Sequence, residues 1–268
     1  CNYILSDMEQ SGRDFLDVLD EAQALGYAEA DPSFDIDGID AAHKLAILAS
    51  VAFGTVVDFD GVHVEGIRHI SPIDIEFARE LGFGIKLLGV AARTADGFEQ
   101  RVHPCMVPES APINHVSGVF NGIAVDGNFV DTTIYEGRGA GAGPTASAVV
   151  ADILDIACGN PVPVFGIPAR NLKPAQTVDM GRHRGAYYVR LTVVDEPGVF
   201  AEIAAILRDH EVSMESVLQR GRAPGEPVSV VMTLHESLEV DVVNTLDAMA
   251  SLDTVVEAPR MIRMETFA

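Results

Sequence analysis

The sequence predicts an α+β fold, with helices packed on a mixed or antiparallel sheet, followed by a compact β-α-β-β-α-β unit. Three observations predict it. Apolar residues recur at helical spacing near the start, at Phe15, Val18, Leu19, Ala22 and Leu25. Two Asp-Gly pairs, Asp96-Gly97 and Asp126-Gly127, each sit between strand-like runs, as hairpin turns do. Alternating and helical patterns then follow one another in β-α-β-β-α-β order between 186 and 265.

The first helix closes at Gly26. The stretch before it, Cys1-Asn2-Tyr3-Ile4-Leu5, starts mid-pattern without an initiator Met, as a cleaved or truncated chain does. Residues 27–37 show no period, and a second helix runs over 39–53. Beyond Lys44 that helix is apolar on nearly every side (Leu45, Ala46, Ile47, Leu48, Ala49, Val51, Ala52), which predicts burial. Ser71-Pro72-Ile73-Asp74 opens a third helix with a Ser cap, a Pro in first position and an acid three residues on. Strands are predicted at 85–92 and 98–107, and again at 119–125 and 129–135. Glycines at 137, 139, 141 and 143 precede Pro144 and a smooth Ala/Val helix that ends near Cys158-Gly159. Residues 159–185 hold four prolines and end in Gly181-Arg182-His183-Arg184-Gly185, the best domain boundary. After it come a strand on Tyr187, Val189, Leu191 and Val193, a turn at Asp195-Glu196-Pro197-Gly198 and a helix over 199–210. Strands at 212–219 and 228–234, a helix over 240–249 and a strand at 255–261 complete the unit.

The bulk numbers bound the function. A chain of 268 residues with 48% hydrophobic content can bury a real core. Its net charge of -22, with no basic stripe, repels phosphate backbones and argues against nucleic acid as a partner. Cys1, Cys105 and Cys158 form no CxxC pair and no disulfide framework, which suits a reducing compartment. No run reaches membrane-span length and no signal pattern opens the chain, so the expectation is the cytoplasm and no membrane partner. His63, His69, His103 and His115 lack zinc-site spacing, and no metal is expected.

Glu29, Asp31, Asp35, Asp37 and Asp40 place five carboxylates within twelve residues, beside Lys44. Asp40 and Lys44 are four apart and share a helix face. They read either as a polar mouth on an apolar wall, able to grip an amino acid ammonium, or as a solvated acidic loop with one surface ion pair. A calcium loop is a third reading. It fails because Lys44 would stand at position twelve, where a bidentate Glu is needed.

The run from Ala22 through Gly26-Tyr27-Ala28-Glu29-Ala30-Asp31-Pro32 and Asp35-Ile36-Asp37-Gly38-Ile39-Asp40 to Lys44 closely resembles the homoserine dehydrogenase signature. The resemblance implies an oxidoreductase that interconverts L-homoserine and L-aspartate 4-semialdehyde with NADP or NAD. It implies that Glu29 and Asp35 bind substrate with Tyr27 at the pocket edge, and that Asp40 and Lys44 serve the chemical step. Physically, Lys44 is a positive donor to an oxygen that gains charge as hydride arrives.

Gly137-Arg138-Gly139-Ala140-Gly141-Ala142-Gly143-Pro144-Thr145 follows a strand and opens a helix, the context for anion or dinucleotide contact, but it is not a GxGxxG fingerprint. From the residues alone it reads as a structural turn. Resemblance to the family's Gly-x-Gly-Ala-Gly segment implies cofactor contact at Gly139, Ala140 and Gly141, with Arg138 either near a phosphate or solvated. It further implies that the cofactor is held mainly by an N-terminal Rossmann domain not contained in this sequence, so that the chain by itself is inactive.

Asp195-Glu196-Pro197-Gly198-Val199-Phe200, within a ferredoxin-like unit, resembles an ACT domain. The resemblance implies an effector site at Asp195, Gly198 and Val199, with threonine as the effector. The implied organisation is a catalytic, substrate-binding and dimerisation region at 1–136, a glycine loop and returning helix at 137–170, a linker at 171–185 and the ACT domain at 186–268. Sheet edges and ACT pairing favour a homo-oligomer, a dimer or tetramer. A non-catalytic amino acid-sensing or assembly module is the competing expectation.

Overall fold

The computed structural model describes residues 1–159, 163–221 and 224–267. Residues 160–162, 222, 223 and 268, which fall within the expected segments 137–170 and 186–268, lie outside the described residues.

Helix α1 spans Asn2–Ser11, α2 Phe15–Ala24, the short α3 Ser33–Ile36 and α4 Ile39–Phe53. Strand β1 (His63–Val64), helix α5 (Pro72–Glu80) and the long hairpin β2 (Phe83–Thr94) and β3 (Gly97–Pro108) follow. A second hairpin, β4 (Phe120–Gly127) and β5 (Asp131–Arg138), leads to α6 (Ala142–Ala157). The C-terminal unit is β6 (Arg184–Val194), α7 (Val199–Asp209), β7 (Met214–Gln219), β8 (Pro227–Leu238), α8 (Glu239–Ala250) and β9 (Arg260–Met264).

The mixed α+β class is as the sequence predicts, and the C-terminal strands take the order β9-β6-β8-β7 of a ferredoxin-like unit. One seven-stranded sheet carries both parts of the chain. Its joint is β3. Strand β2 pairs along one edge of β3, while β1 and β9 lie end to end along the other, both parallel to it. Strand β9 then pairs antiparallel with β6.

The C-terminal sheet is covered on both faces. Tyr187, Val189, Leu191 and Val193 pack with Val199, Ile203 and Leu207 of α7 and Val242 and Met249 of α8. Tyr188, Val231 and Ile262, on the opposite face, share a core with Ile4, Leu5 and Met8 of α1, Val18 and Leu19 of α2 and Phe77 of α5. Strand β6 therefore buries alternate residues in two different cores, which explains its near-continuous apolar run.

Charge fastens the two parts. Asp74, fully buried, caps α5 by accepting from the amide and hydroxyl of Ser71 at 3.0 and 2.6 Å. The same carboxylate accepts from Tyr188 Oη at 3.0 Å and from Arg190 Nε and Nη2 at 2.7 and 3.3 Å. Arg220 pairs with Glu76 and Glu80 and lies over the Phe77 ring. Residues 171–185 are also pinned, through bridges from Lys173 to Thr55 and from Thr177 to Phe98.

Several expectations need correction. The chain start is a helix, α1, whose Ile4, Leu5 and Met8 are core residues. Helix α4 buries one face only, Ala42, Leu45, Ala46 and Ala49, and leaves Ile47, Leu48 and Val51 exposed. The second hairpin turns at 128–130, one step past Asp126-Gly127, because Gly127 still pairs with Asp131. The last strand lies at Arg260–Met264 rather than 255–261. Pro259, with no N–H to give a ladder, precedes it, and Val255 makes only an isolated bridge to Val193.

Candidate active site

Asp40 sits in the first turn of α4, and Lys44 one turn on. Lys44 Nζ donates to Asp40 Oδ2 at 2.6 Å, with the lysine side chain 59% exposed. Gly38 makes this geometry possible. It enters α4 at φ +81°, and a Cβ there would stand 3.2 Å from both the Glu65 carbonyl oxygen and a methyl of Val102.

The turn in front of α4 rests on residues 65–67. Ile67 donates its amide to the Ile36 carbonyl at 2.8 Å, and Gly66 packs directly under Ile36 and Asp37. From outside, Arg68 grips Asp37 and donates to Ser33 Oγ at 2.9 Å. The Arg68 bond holds the Asp37 carboxyl below its usual range.

Beside this turn is a small pocket lined by Cys1, Tyr3, Ile4, Ala22, Tyr27, Ala28, Asp35 and Ile36. The Tyr3 and Tyr27 rings meet with centroids 4.9 Å apart, and Cys1 Sγ donates to the Asp35 carbonyl at 2.8 Å. Asp35 lines this pocket, and Asp40 and Lys44 follow it in the first two turns of α4. Tyr27 and Asp35 line the pocket directly, whereas Glu29 is exposed and outside its lining, with its backbone carbonyl accepting from Gln23 Nε2 at 2.8 Å.

The glycine loop lies elsewhere, on an arm. The β4–β5 hairpin forms its own two-stranded sheet, and α6 has no buried residue, with Ile156 81% exposed. Gly141 opens α6 at φ +117°, and Gly139, Ala140 and Gly141 are all exposed. Arg138 stacks over Phe120, its guanidinium carbon 5.2 Å from the ring centre. In the C-terminal unit, Gly198 enters α7 at φ +106° and Asp195 bridges to Pro224. The Val199 side chain is in the core, so only its backbone is placed to meet a ligand at that turn.

The ligand atoms of His103 and Cys105, neighbours on β3, and of the sequence-distant Glu265 lie within 4.8 Å of one another. The expectation that His103 lacks close partners is thus wrong in geometry. Its protons tell against a cation, however. Nδ1 lies 3.0 Å from the Pro104 carbonyl and needs a hydrogen there, while Nε2 faces Arg101 Nη1 at 2.9 Å and must accept. No ring lone pair is left for an ion, and the Arg101 guanidinium already neutralises Glu265. Burial, then the charges of Arg263 and Arg101, lower His103 well below 6.5, and burial raises the Cys105 thiol well above 9.0.

Sequence reasoning missed the buried ion network around Arg263, Arg101 and Arg190. Its signal is an arginine set in an apolar strand run, as in Met261-Ile262-Arg263-Met264.

The homoserine dehydrogenase family model matches residues 1–154, and the ACT domain model residues 187–253. A homoserine dehydrogenase of Neisseria gonorrhoeae is 44% identical over 271 residues, covering 99% of this chain and 62% of the relative. One from Pseudomonas aeruginosa is 43% identical, covering 98% and 62%. The crystal structure of a homoserine dehydrogenase from Thiobacillus denitrificans superposes with a TM-score of 0.90 at 43% identity, covering 98% of this chain and 61% of that one. The chain thus spans about three fifths of the length of these relatives. With Ala22, Tyr27, Ala28, Asp35 and Ile36 of its signature run lining one pocket and an ACT unit built into the main sheet, the chain belongs to the homoserine dehydrogenase family.

Proposed function

We propose that this chain is the substrate-binding and regulatory part of an oxidoreductase that interconverts L-homoserine and L-aspartate 4-semialdehyde with NADP or NAD. The observation that carries it is the Asp40–Lys44 pair on α4, the helix entered from the turn whose Asp35 lines a pocket with Tyr27. Glu29 and Asp35 hold the substrate ammonium from the rim and the wall. Lys44 Nζ donates to the substrate's carbonyl or hydroxyl oxygen and stabilises the charge that develops there. Asp40 orients Lys44 through their ion pair. The nicotinamide nucleotide supplies and accepts the hydride. It is held mainly by a domain outside these 268 residues, with Gly139, Ala140 and Gly141 closing on it. Their exposed position at the start of a sixteen-residue helix fits such a group.

In this reading residues 1–136 form the catalytic and dimerisation region, 137–170 return to the nucleotide domain, 171–185 link and 186–268 sense threonine at Asp195, Gly198 and Val199. The assembly is a dimer or tetramer in the cytoplasm. No helix of the described residues is long and apolar enough to cross a membrane.

Lys44→Ala in the full-length protein is expected to lower kcat for homoserine oxidation by roughly 10²–10³-fold, the scale of losing one charge-stabilising donor. Far-UV dichroism should not change, since Lys44 is exposed. Undiminished turnover would overturn the assignment.

A further inference from the structure

Arg263 stands in β9 between carboxylates from two distant parts of the chain, and it is 2% exposed. Its Nε donates to Glu239 Oε2 at 2.7 Å, and Nη2 donates to Glu239 Oε1. Nη1 and Nη2 donate to Glu65 Oε2 and Oε1 at 3.0 and 2.8 Å. Glu239 is the first residue of α8 in the C-terminal unit, and it is itself buried. Glu65 directly follows β1 in the N-terminal part, and its amide donates to the Val102 carbonyl at 2.7 Å.

The backbone of Glu65 begins the floor under the substrate turn. Its carbonyl oxygen faces Gly38, the next residue packs under Ile36 and Asp37, and Ile67 donates to Ile36. That turn joins Asp35 to the helix carrying Asp40 and Lys44. We infer that Arg263 is a positioning residue: by clamping Glu65 to α8, it sets the floor on which Asp35, Asp40 and Lys44 are placed. The inference rests on the function proposed above.

Electrostatics gives the clamp its direction. Without the guanidinium, two carboxylates face each other across a buried space. Glu239 is enclosed, whereas the Glu65 side chain is 41% exposed and has water to move into. The floor follows Glu65 outward. The glycine loop is spared, because it hangs on a hairpin that pairs with no strand of the main sheet.

The test compares Arg263→Met, Glu65→Gln and Arg263→Lys in the full-length enzyme, varying homoserine and nucleotide separately. In Arg263→Met and Glu65→Gln, KM for homoserine is expected to rise roughly tenfold or more, the scale of a small misplacement of binding groups. KM for the nucleotide should stay within about twofold, and Arg263→Lys should recover part of the loss. A merely structural role lowers the active fraction, and so kcat, and leaves both KM values alone. That pattern, or a joint rise in both KM values, overturns the inference. Where Arg263→Met does not fold, Glu65→Gln, which keeps the Arg263–Glu239 pair, decides by the same criteria. A parent enzyme that does not oxidise homoserine overturns the function and this inference with it. An active parent with unshifted variants overturns the inference alone.

Discussion

A methyl group at position 66 would overlap the Ile36 carbonyl oxygen and lie 2.5 Å from Cα of Asp37, both backbone atoms that cannot swing aside. Gly66→Ala is therefore expected to cost roughly 1–3 kcal/mol of stability, the range for overfilling a packed site, as read from the urea midpoint. An unchanged midpoint would mean that the turn yields freely. Single residues were legible where spacing carries meaning. Asp40 and Lys44 lie four apart on a helix, and that spacing alone puts them in contact. The floor that Glu65 and Gly66 form was not legible, because Gly38, Ile36 and Asp37, which rest on it, lie 27–30 residues away and no local pattern encodes it. Arg263 escaped notice for the same reason, since its two carboxylates come from positions 65 and 239.

At the scale of elements, the Ser71–Asp74 box was readable from four letters and forms as expected. Its second use was not readable, since Tyr188 and Arg190 reach Asp74 from more than a hundred residues away. Burial, with the Asp74 charge beside it, pushes the Tyr188 hydroxyl far up, so the phenol stays a donor at any ordinary pH. Asp74→Ala removes the cap and leaves Arg190 without its carboxylate. The expected loss is about 3 kcal/mol, by urea unfolding, as for breaking a buried ion pair. A loss near 1 kcal/mol, that of a cap alone, would show that the pair to Arg190 contributes little. Helix α4 illustrates the opposite limit. Its extent was given by its apolar length, but an all-round apolar pattern cannot say which face meets this chain's core.

Across the whole molecule, buried charge ties stability to pH. His103 is lowered below 6.5 by burial and by Arg263 and Arg101, so beneath that pH the unfolded chain takes up a proton that the folded chain refuses. Burial works to raise Glu65, but hydrogen bonds from His63 and Arg263 outweigh it and hold it well below 4.5. Glu99 is lowered chiefly by its bond to His183. For these two acids, the stabilisation is present above 4.5 and is lost as pH falls toward their folded values. Urea midpoints should therefore start to fall below about pH 6.5 and fall more steeply below about 4.5. His103→Gln should remove the upper onset, and a flat profile between pH 7 and 5 in the parent would refute it. The α+β class and the order of the C-terminal unit were legible because periodicity reports local structure. The fusion of both parts into one sheet was not, because strand neighbours are chosen by tertiary contact. That fusion also sets a schedule for synthesis. Strand β9 fills the gap between β3 and β6, yet it follows every other strand in chain order. On the ribosome, the N-terminal hairpin must wait with that edge of β3 open until residue 264 emerges, and the molecule closes around a five-residue segment made after the rest of its sheet.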